Sequence, residues 1–124
     1  MTIIEAINST DALKFNTYNQ TEKIGWLSRL DSMVKSHIID THQDAEDTSF
    51  SGYTENTPLD TVLLVPAPYD EMYLRWLEAQ IDYHNGEYDK YNNAIIMFNT
   101  AFEAYQSFYN GTHMPLQRGR RFLF

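Results

Sequence analysis

The sequence predicts a mainly α-helical fold, and three features support that prediction. Apolar residues recur every three or four positions over most of the chain, which is the period of an amphipathic helix. Capping residues stand where two such stretches begin, and Asn85-Gly86 stands where another ends. Only residues 61–65 have the character of a β-strand, and one strand cannot form a sheet alone.

The first two helices are predicted from the residues that begin them. Thr2 and Glu5 have the spacing of a capping box, which predicts a short helix over 3–13. Asn19 is a favourable cap for a second helix, which we expect over 20–41.

One carboxylate lies among the apolar positions of this second helix. The apolar stripe that predicts the helix consists of Ile24, Leu27, Leu30, Val34 and Ile38. Asp31 falls within the same arc. We expect it at the edge of the arc, paired with Lys35 one turn later, because residues four apart are neighbours on a helix surface.

The middle of the chain breaks the helical pattern. Residues 43–60 are polar and acidic and contain Gly52 and Pro58, which predicts a long loop. The apolar stretch 61–65 that follows is short, and we expect a strand, an extended segment or a helical turn there. If it pairs, the expected partner is the tail, the 50–54 segment or another copy of the chain.

Two strong helical patterns follow, over 69–85 and 87–110, and Gly86 between them favours a short turn. A short turn predicts an antiparallel helical hairpin, with the helix over 20–41 covering both members. The second pattern has a regular aromatic seam, which is typical of a helix packed along a neighbour. This seam consists of Tyr88, Tyr91, Ile95, Phe98, Phe102, Tyr105 and Tyr109.

Charge divides the chain into a body and an arm. Residues 1–111 contain all 17 acidic residues and six of the nine basic residues, which gives a formal charge of −11. We expect this part to be a single helical domain. Residues 112–124 contain three arginines and end in Phe-Leu-Phe, and we expect an extended C-terminal arm. An acidic body disfavours nucleic-acid binding because it repels phosphate.

The sequence contains no pattern that is specific for catalysis, so we expect neither an enzyme nor a cofactor. It has no cysteine, which excludes disulfides and thiolate chemistry. Glycine-rich phosphate loops and zinc-binding histidine motifs are absent from the sequence. A carboxylate set of Glu71, Glu78 and Asp82 leaves open a Mg²⁺-dependent nucleotide hydrolase. Arg75 stands among these acids, and the spacing favours a solvated face with surface ion pairs.

The sequence does not predict a membrane protein. No apolar stretch approaches the roughly 18 residues of a membrane-spanning helix, and the first residues lack the pattern of a signal peptide. We therefore expect a protein of the cytosol, or of a particle assembled in a bacterial cytosol.

Several residues are candidates for contact with another protein. Ile96 is an apolar residue on the polar side of the last helix. Phe50 and Tyr53 are aromatic residues of the long loop, and they could instead pin that loop to the body. Single apolar residues on a surface are also common. The arm adds basic and aromatic candidates, which are Arg118, Arg120, Arg121, Phe122 and Phe124.

A resemblance to a known family extends over nearly the whole chain. The segments on which it rests are Glu22-Lys23-Ile24, Trp26-Leu27, 59–70 (LDTVLLVPAPYD), 73–83 (YLRWLEAQIDY), 85–88 (NGEY), 90–93 (KYNN), 97–100 (MFNT) and Thr112-His113-Met114-Pro115. In these segments the chain resembles small helical head–tail connector, or head-completion, proteins of tailed phages and Gram-positive prophages. The shared segments are structural, and no catalytic or binding residue comes with the resemblance.

The resemblance implies a homo-oligomeric ring. One side of such a ring contacts the portal protein, and the other contacts a head-closure or tail protein. The expected function is therefore structural, in the bacterial cytoplasm during assembly and then at the head–tail junction of the virion. The alternatives are a small regulatory protein-binding module and, less well supported, the nucleotide hydrolase.

Overall fold

The protein is mainly α-helical, as the sequence predicts. The structure is a computed structural model that describes residues 1–39 and 50–112. Four helices lie in these ranges: α1 (Ile3–Leu13), α2 (Gln20–His37), α3 (Glu71–His84) and α4 (Tyr88–Thr112). The expected loop residues 43–49 lie outside the described residues. So does the arm from residue 113 onward, with Arg118, Arg120, Arg121, Phe122 and Phe124.

The predicted caps of α1 and α2 are present. The Glu5 amide donates to Thr2 Oγ1 at 3.3 Å, and the Thr2 amide donates to Glu5 Oε1 at 2.8 Å. At the start of α2, Asn19 Oδ1 accepts a hydrogen bond of 2.8 Å from the Glu22 amide. Each cap satisfies backbone donors that the first turn of a helix leaves unpaired, so these starting points follow from local sequence.

The end of α2, the start of α3 and the end of α4 each differ from the predicted position by a few residues. Regular α2 ends at His37, four residues before the predicted end. Helix α3 begins at Glu71 instead of 69, because Tyr69 and Asp70 form a turn in which the Tyr69 amide donates to the Pro66 carbonyl. Helix α4 continues through Gly111 to Thr112, since glycine weakens a helix without stopping it.

Helix α3 is the central element. It packs against α1, α2 and α4, whereas α4 contacts α3 and neither α1 nor α2. The predicted arrangement, in which the second helix covers both later helices, is therefore wrong for α4. The contact of α4 with α3 and with the turn before α3 is aromatic, and its ring pairs run in antiparallel order. Their centroid separations are 5.8 Å for Tyr69–Tyr105, 5.0 Å for Trp76–Phe98 and 5.3 Å for Tyr83–Tyr91.

The apolar segment before α3 is extended and pairs with the start of the chain. The Leu63 amide donates to the Met1 carbonyl at 2.9 Å, and the Ile3 amide donates to the Thr61 carbonyl at 3.1 Å. One antiparallel bridge, Thr2 with Val62, forms there. The described pairing is thus with the N-terminal residues, which were not among the three expected partners.

Buried hydrogen bonds and ion pairs hold α1 and α2 against their neighbours. Trp76 Nε1 donates to the Trp26 carbonyl at 2.8 Å and joins α3 to α2. Lys14 Nζ lies 2.8 Å from Asp82 Oδ1 and joins the end of α1 to α3. None of the helices in the described ranges is long and apolar enough to span a membrane.

Two glycines provide a matched test of the backbone. Gly52 has φ +100°, and a Cβ added there would lie 2.8 Å from Ser28 Oγ. We expect Gly52→Ala to lower the free energy of unfolding by about 1–3 kcal/mol. Gly25 lies within α2 with no atom within 4 Å of an added Cβ, so Gly25→Ala should raise it by roughly 0.5–1 kcal/mol. Urea unfolding of both variants measures these changes, and shifts of the same sign would contradict the described backbone.

Candidate functional site

The most unusual group in the core is the carboxylate of Asp31. The side chain is fully buried, although the sequence suggested the edge of the apolar arc. Three donors converge on it: the hydroxyl of Tyr53 at 2.5 Å, the hydroxyl of Tyr73 at 2.6 Å and the amide of Leu64 at 3.1 Å. The Tyr73 hydroxyl also accepts a hydrogen bond of 2.8 Å from the Val65 amide. We name these groups the Asp31 network.

The electrostatics of the Asp31 network follow from its burial. Burial raises the pKa of Asp31, and the three hydrogen bonds oppose that shift. Burial, followed by the charge of Asp31, raises the pKa of both tyrosines above the ordinary range for a phenol. Both hydroxyls therefore remain protonated donors. Because the carboxylate has no exposed surface, the network is a structural centre and not a site for a substrate.

The Asp31 network explains where the two loop candidates lie. Tyr53 is buried, and its amide donates to Ser28 Oγ at 2.9 Å. Phe50 is half-buried and packs edge-on against the Tyr53 ring, with centroids 5.0 Å apart. Tyr53 thus anchors the 50–53 segment on α2, and Phe50 packs on this anchor. Pinning of the loop to the body is the role that the sequence allowed for both residues, and buried Tyr53 is not an exposed contact residue.

The acidic residues of α3 are engaged by basic side chains. Arg75 lies 2.8 Å from Glu71 Oε1 and 2.9 Å from Glu78 Oε1, which is the predicted pattern of surface ion pairs. Asp82 is a correction to the expected solvated face, because it is buried and paired with Lys14. The described ranges contain no group of three or more acidic or histidine residues placed to hold a metal ion.

His84 ends α3 as the sequence suggested. Its Nδ1 lies 2.8 Å from the Gln80 carbonyl, one turn earlier. A carbonyl can only accept, so Nδ1 holds the proton in this contact. The ring packs against Trp26 and Tyr18, with centroids 5.1 and 6.0 Å away. This histidine closes a helix end against an aromatic cluster.

The outer surface of α4 is the candidate interaction site. Three large apolar side chains on it are exposed: Ile96 by 61%, Met97 by 49% and Phe108 by 40%. From Ala94 to Thr112 the helix has one formal charge, on Glu103. Depletion of charge together with exposed apolar side chains is typical of the centre of a protein interface.

A shallow groove runs along the seam between α3 and α4 beside these residues. One part is lined by Glu71 and Arg75 of α3 and by Ile96, Met97, Thr100, Ala101 and Ala104 of α4. A second part shares Arg75 and Met97 and continues past Ala94 to Lys90 and Asp82. Among the predicted contact residues with described positions, only Ile96 lies on this groove. Met97 and Phe108 were not selected from the sequence, because they are exposed only as a result of α4 packing on one helix, which the sequence pattern does not reveal.

Comparisons with known proteins add no further constraint. No family model, no curated protein and no solved structure matches this chain. The candidate site therefore rests on its own geometry.

Removing one donor from the Asp31 network should destabilise the fold measurably. We expect Tyr53→Phe to lower the free energy of unfolding by about 1.5–3 kcal/mol, the usual cost of losing a hydrogen bond to a charged group. Tyr88→Phe is the matched control, because Tyr88 is 61% exposed and its change should stay within about 0.5 kcal/mol. Urea unfolding gives both values, and equal effects would contradict the described network.

The buried carboxyl also predicts a pH dependence. Because the pKa of Asp31 is raised by burial, the folded state binds this proton more tightly than the unfolded chain. Its contribution to stability is complete below the unfolded pKa of about 4 and is lost as the pH rises through the folded pKa. The free energy of unfolding of the wild type, measured relative to Asp31→Asn, should therefore increase as the pH falls from 7 towards 4. A relative stability that stays constant or decreases would refute this.

Proposed function

We propose that this chain is a structural subunit that works by binding other protein chains through the outer surface of α4. The observation that supports this most directly is the combination on one helix of Ile96, Met97 and Phe108 exposed with a single charge between Ala94 and Thr112. The chain has a net charge of −8, so contact at this surface removes fewer charged groups from water than contact at a charged surface would.

We further propose that the assembly is a phage or prophage head–tail connector. The support is the resemblance of most of the chain to that family and the mainly helical fold. In this proposal, copies of the chain form a ring that contacts the portal protein on one side and a head-closure or tail protein on the other. It would assemble in the bacterial cytoplasm and remain in the virion.

The charge of the chain suits a connector. DNA that passes through a ring must slide without adhering, and phosphate is repelled by a surface of the same sign. Residues 1–111 have a formal charge of −11. The basic arm, with Arg118, Arg120 and Arg121, is then available for contacts with acidic protein surfaces.

A small regulatory binding module is the second candidate. It is favoured by the groove between α3 and α4, because an apolar groove beside a helix is a common docking site for an amphipathic helix of another protein. A regulatory module would be a stable monomer or dimer with one tight partner, whereas a connector forms closed rings. The nucleotide hydrolase has less support, because Arg75 and Lys14 engage the carboxylates it would use.

Assembly should depend on α4 in a way that a charge substitution can detect. Ile96→Glu places a charge at the groove, and we expect it to raise the concentration needed for assembly at least about tenfold, which corresponds to about 1.4 kcal/mol. Asn99→Glu is the control, because Asn99 is exposed on the same helix and outside the groove. Light scattering over a concentration series, with and without the portal protein, gives the mass of the assembly. Electron microscopy of the large species shows whether rings close.

A chain that lacks residues 115–124 tests the arm separately. It should keep the helical circular dichroism and the unfolding curve of the full chain but lose assembly. Closed rings or a stable complex with the portal protein would support the connector. If the full chain neither forms rings nor binds the portal protein, the connector proposal is wrong.

A further inference from the structure

Helix α4 has a second seam beside the one that packs on α3. Ala94, Met97, Ala101, Ala104 and Phe108 follow one another at intervals of three, four, three and four residues. This spacing keeps the five side chains on one stripe and suits packing along another helix. Helix α3 occupies the aromatic seam, and neither α1 nor α2 contacts α4. Within the described part of the chain, no other helix therefore covers the second seam.

The second seam alternates knobs and sockets. Met97 and Phe108 are exposed by 49% and 40% and form the knobs. One face of the Phe108 ring stacks on Tyr69, with centroids 4.8 Å apart. Ala94, Ala101 and Ala104 are its low points, and each of them lines the groove. The knobs are 11 residues apart, or about 16 Å along the helix, and the sockets Ala94 and Ala104 are ten apart, or about 15 Å.

This pattern is complementary to itself when it is read in the opposite direction. In two antiparallel copies related by a two-fold axis at Ala101, Phe108 of one copy faces Ala94 of the other. Met97 lies opposite position 105, within one residue or about 1.5 Å of Ala104 along the axis, and Ala101 faces its own equivalent. The two copies of Met97 and Phe108 therefore make four contacts in which a large side chain meets a small one. At the axis the two Ala101 side chains meet, and the helices approach most closely there. An isologous contact requires this kind of self-complementary patch.

Charge favours the same face for contact between copies. Two chains of net charge −8 repel each other. The stretch from Ala94 to Thr112 contains one charged residue, Glu103, which lies outside the groove lining. The acidic groove residues of α3 are paired within the chain, Glu71 and Glu78 with Arg75 and Asp82 with Lys14. Two acidic copies can therefore approach along α4 with little local repulsion.

The size of the contact sets its expected strength. The second seam with one turn on each side is about 30 Å long, and a helix is about 10 Å wide, which gives roughly 300 Å² on each α4. The rim of α3, with Glu71 and Arg75, adds a further strip. Two copies therefore bury roughly 600 Å² on α4 plus this strip, which is below the roughly 1,000 Å² of stable specific interfaces, so the association should be weak, reversible and dependent on concentration.

We infer that the second seam of α4 is the contact face for a second copy of this chain, packed antiparallel about a two-fold axis at Ala101. The inference rests on the proposed function only in taking α4 as a protein-contact surface. It goes further because it names the partner and the register. A contact about a two-fold axis closes on itself, so a ring would need an additional contact elsewhere on the chain.

Single cysteines test the register directly, because the chain has no cysteine of its own. The four variants are Ala101→Cys, Met97→Cys, Ala104→Cys and the control Asn99→Cys, which is exposed about 200° around the helix from Met97. A disulfide forms only when the two Cα atoms come within about 7 Å. Each reduced variant is first compared with the wild type by circular dichroism and urea unfolding, and then oxidised mildly over a concentration series.

The expected pattern is specific to antiparallel pairing. Ala101→Cys should form a cross-linked dimer alone, at least about tenfold faster than Asn99→Cys. Met97→Cys and Ala104→Cys should cross-link faster when mixed than either does alone. Self-linking of Met97→Cys and of Ala104→Cys with no gain on mixing would indicate parallel helices and overturn the inference. Equal rates for Ala101→Cys and Asn99→Cys would overturn it as well.

The cross-linking experiment can fail while the connector proposal holds, and the reverse is also true. Rings or portal binding without preferential cross-linking at residue 101 would refute this pairing and leave the connector intact. Preferential cross-linking at residue 101, in a chain that forms no rings and binds no portal protein, would support this pairing and refute the connector.

Discussion

The buried carboxylate of Asp31 is the contact on which the rest of the fold depends. It lies on α2, and its three donors come from α3 through Tyr73 and from the 50–65 segment through Tyr53 and Leu64. A charge without exposed surface is costly unless several donors surround it, so no donor can move away without a large penalty. The network therefore fixes α2, α3 and the segment between them in one arrangement.

That arrangement determines the position of α4. The Asp31 network and the Trp76–Trp26 hydrogen bond hold α2 on α3, and the Lys14–Asp82 pair holds the end of α1 on α3. Helices α1 and α2 therefore both pack on α3, and among the described elements α3 is the only helix that contacts α4. A helix of 25 residues with one neighbour cannot bury all of its apolar side chains, which is why Ile96, Met97 and Phe108 remain exposed.

Local interactions could be predicted from the sequence, and long-range ones could not. The caps at Thr2 and Asn19, the Arg75 ion pairs and the His84 contact each involve residues within four positions of one another. Asp31 bonds to residues 22, 33 and 42 positions away, and Asp82 to one 68 positions away. A carboxylate in an apolar arc looks the same in the sequence whether it lies at the edge or at the centre, so its burial could not be read from spacing. The same holds for the candidate site, where Ile96 was found by its polar surroundings and Met97 and Phe108 were not.

Burial of the two seams of α4 has different effects: one contributes to folding and the other to association. The aromatic seam packs on α3 within one chain, so burying it contributes to the stability of every molecule at any concentration. On the second seam Ala94 is buried and Phe108 stacks on Tyr69. Met97 and Phe108 nevertheless keep exposed apolar area that no helix in the described ranges covers. In a chain of net charge −8, the stretch from Ala94 to Thr112, which has a single charge, lies along this seam. Exposed apolar area on an otherwise charged surface favours association, and this placement restricts the association to one face and to a partner with a complementary row of side chains.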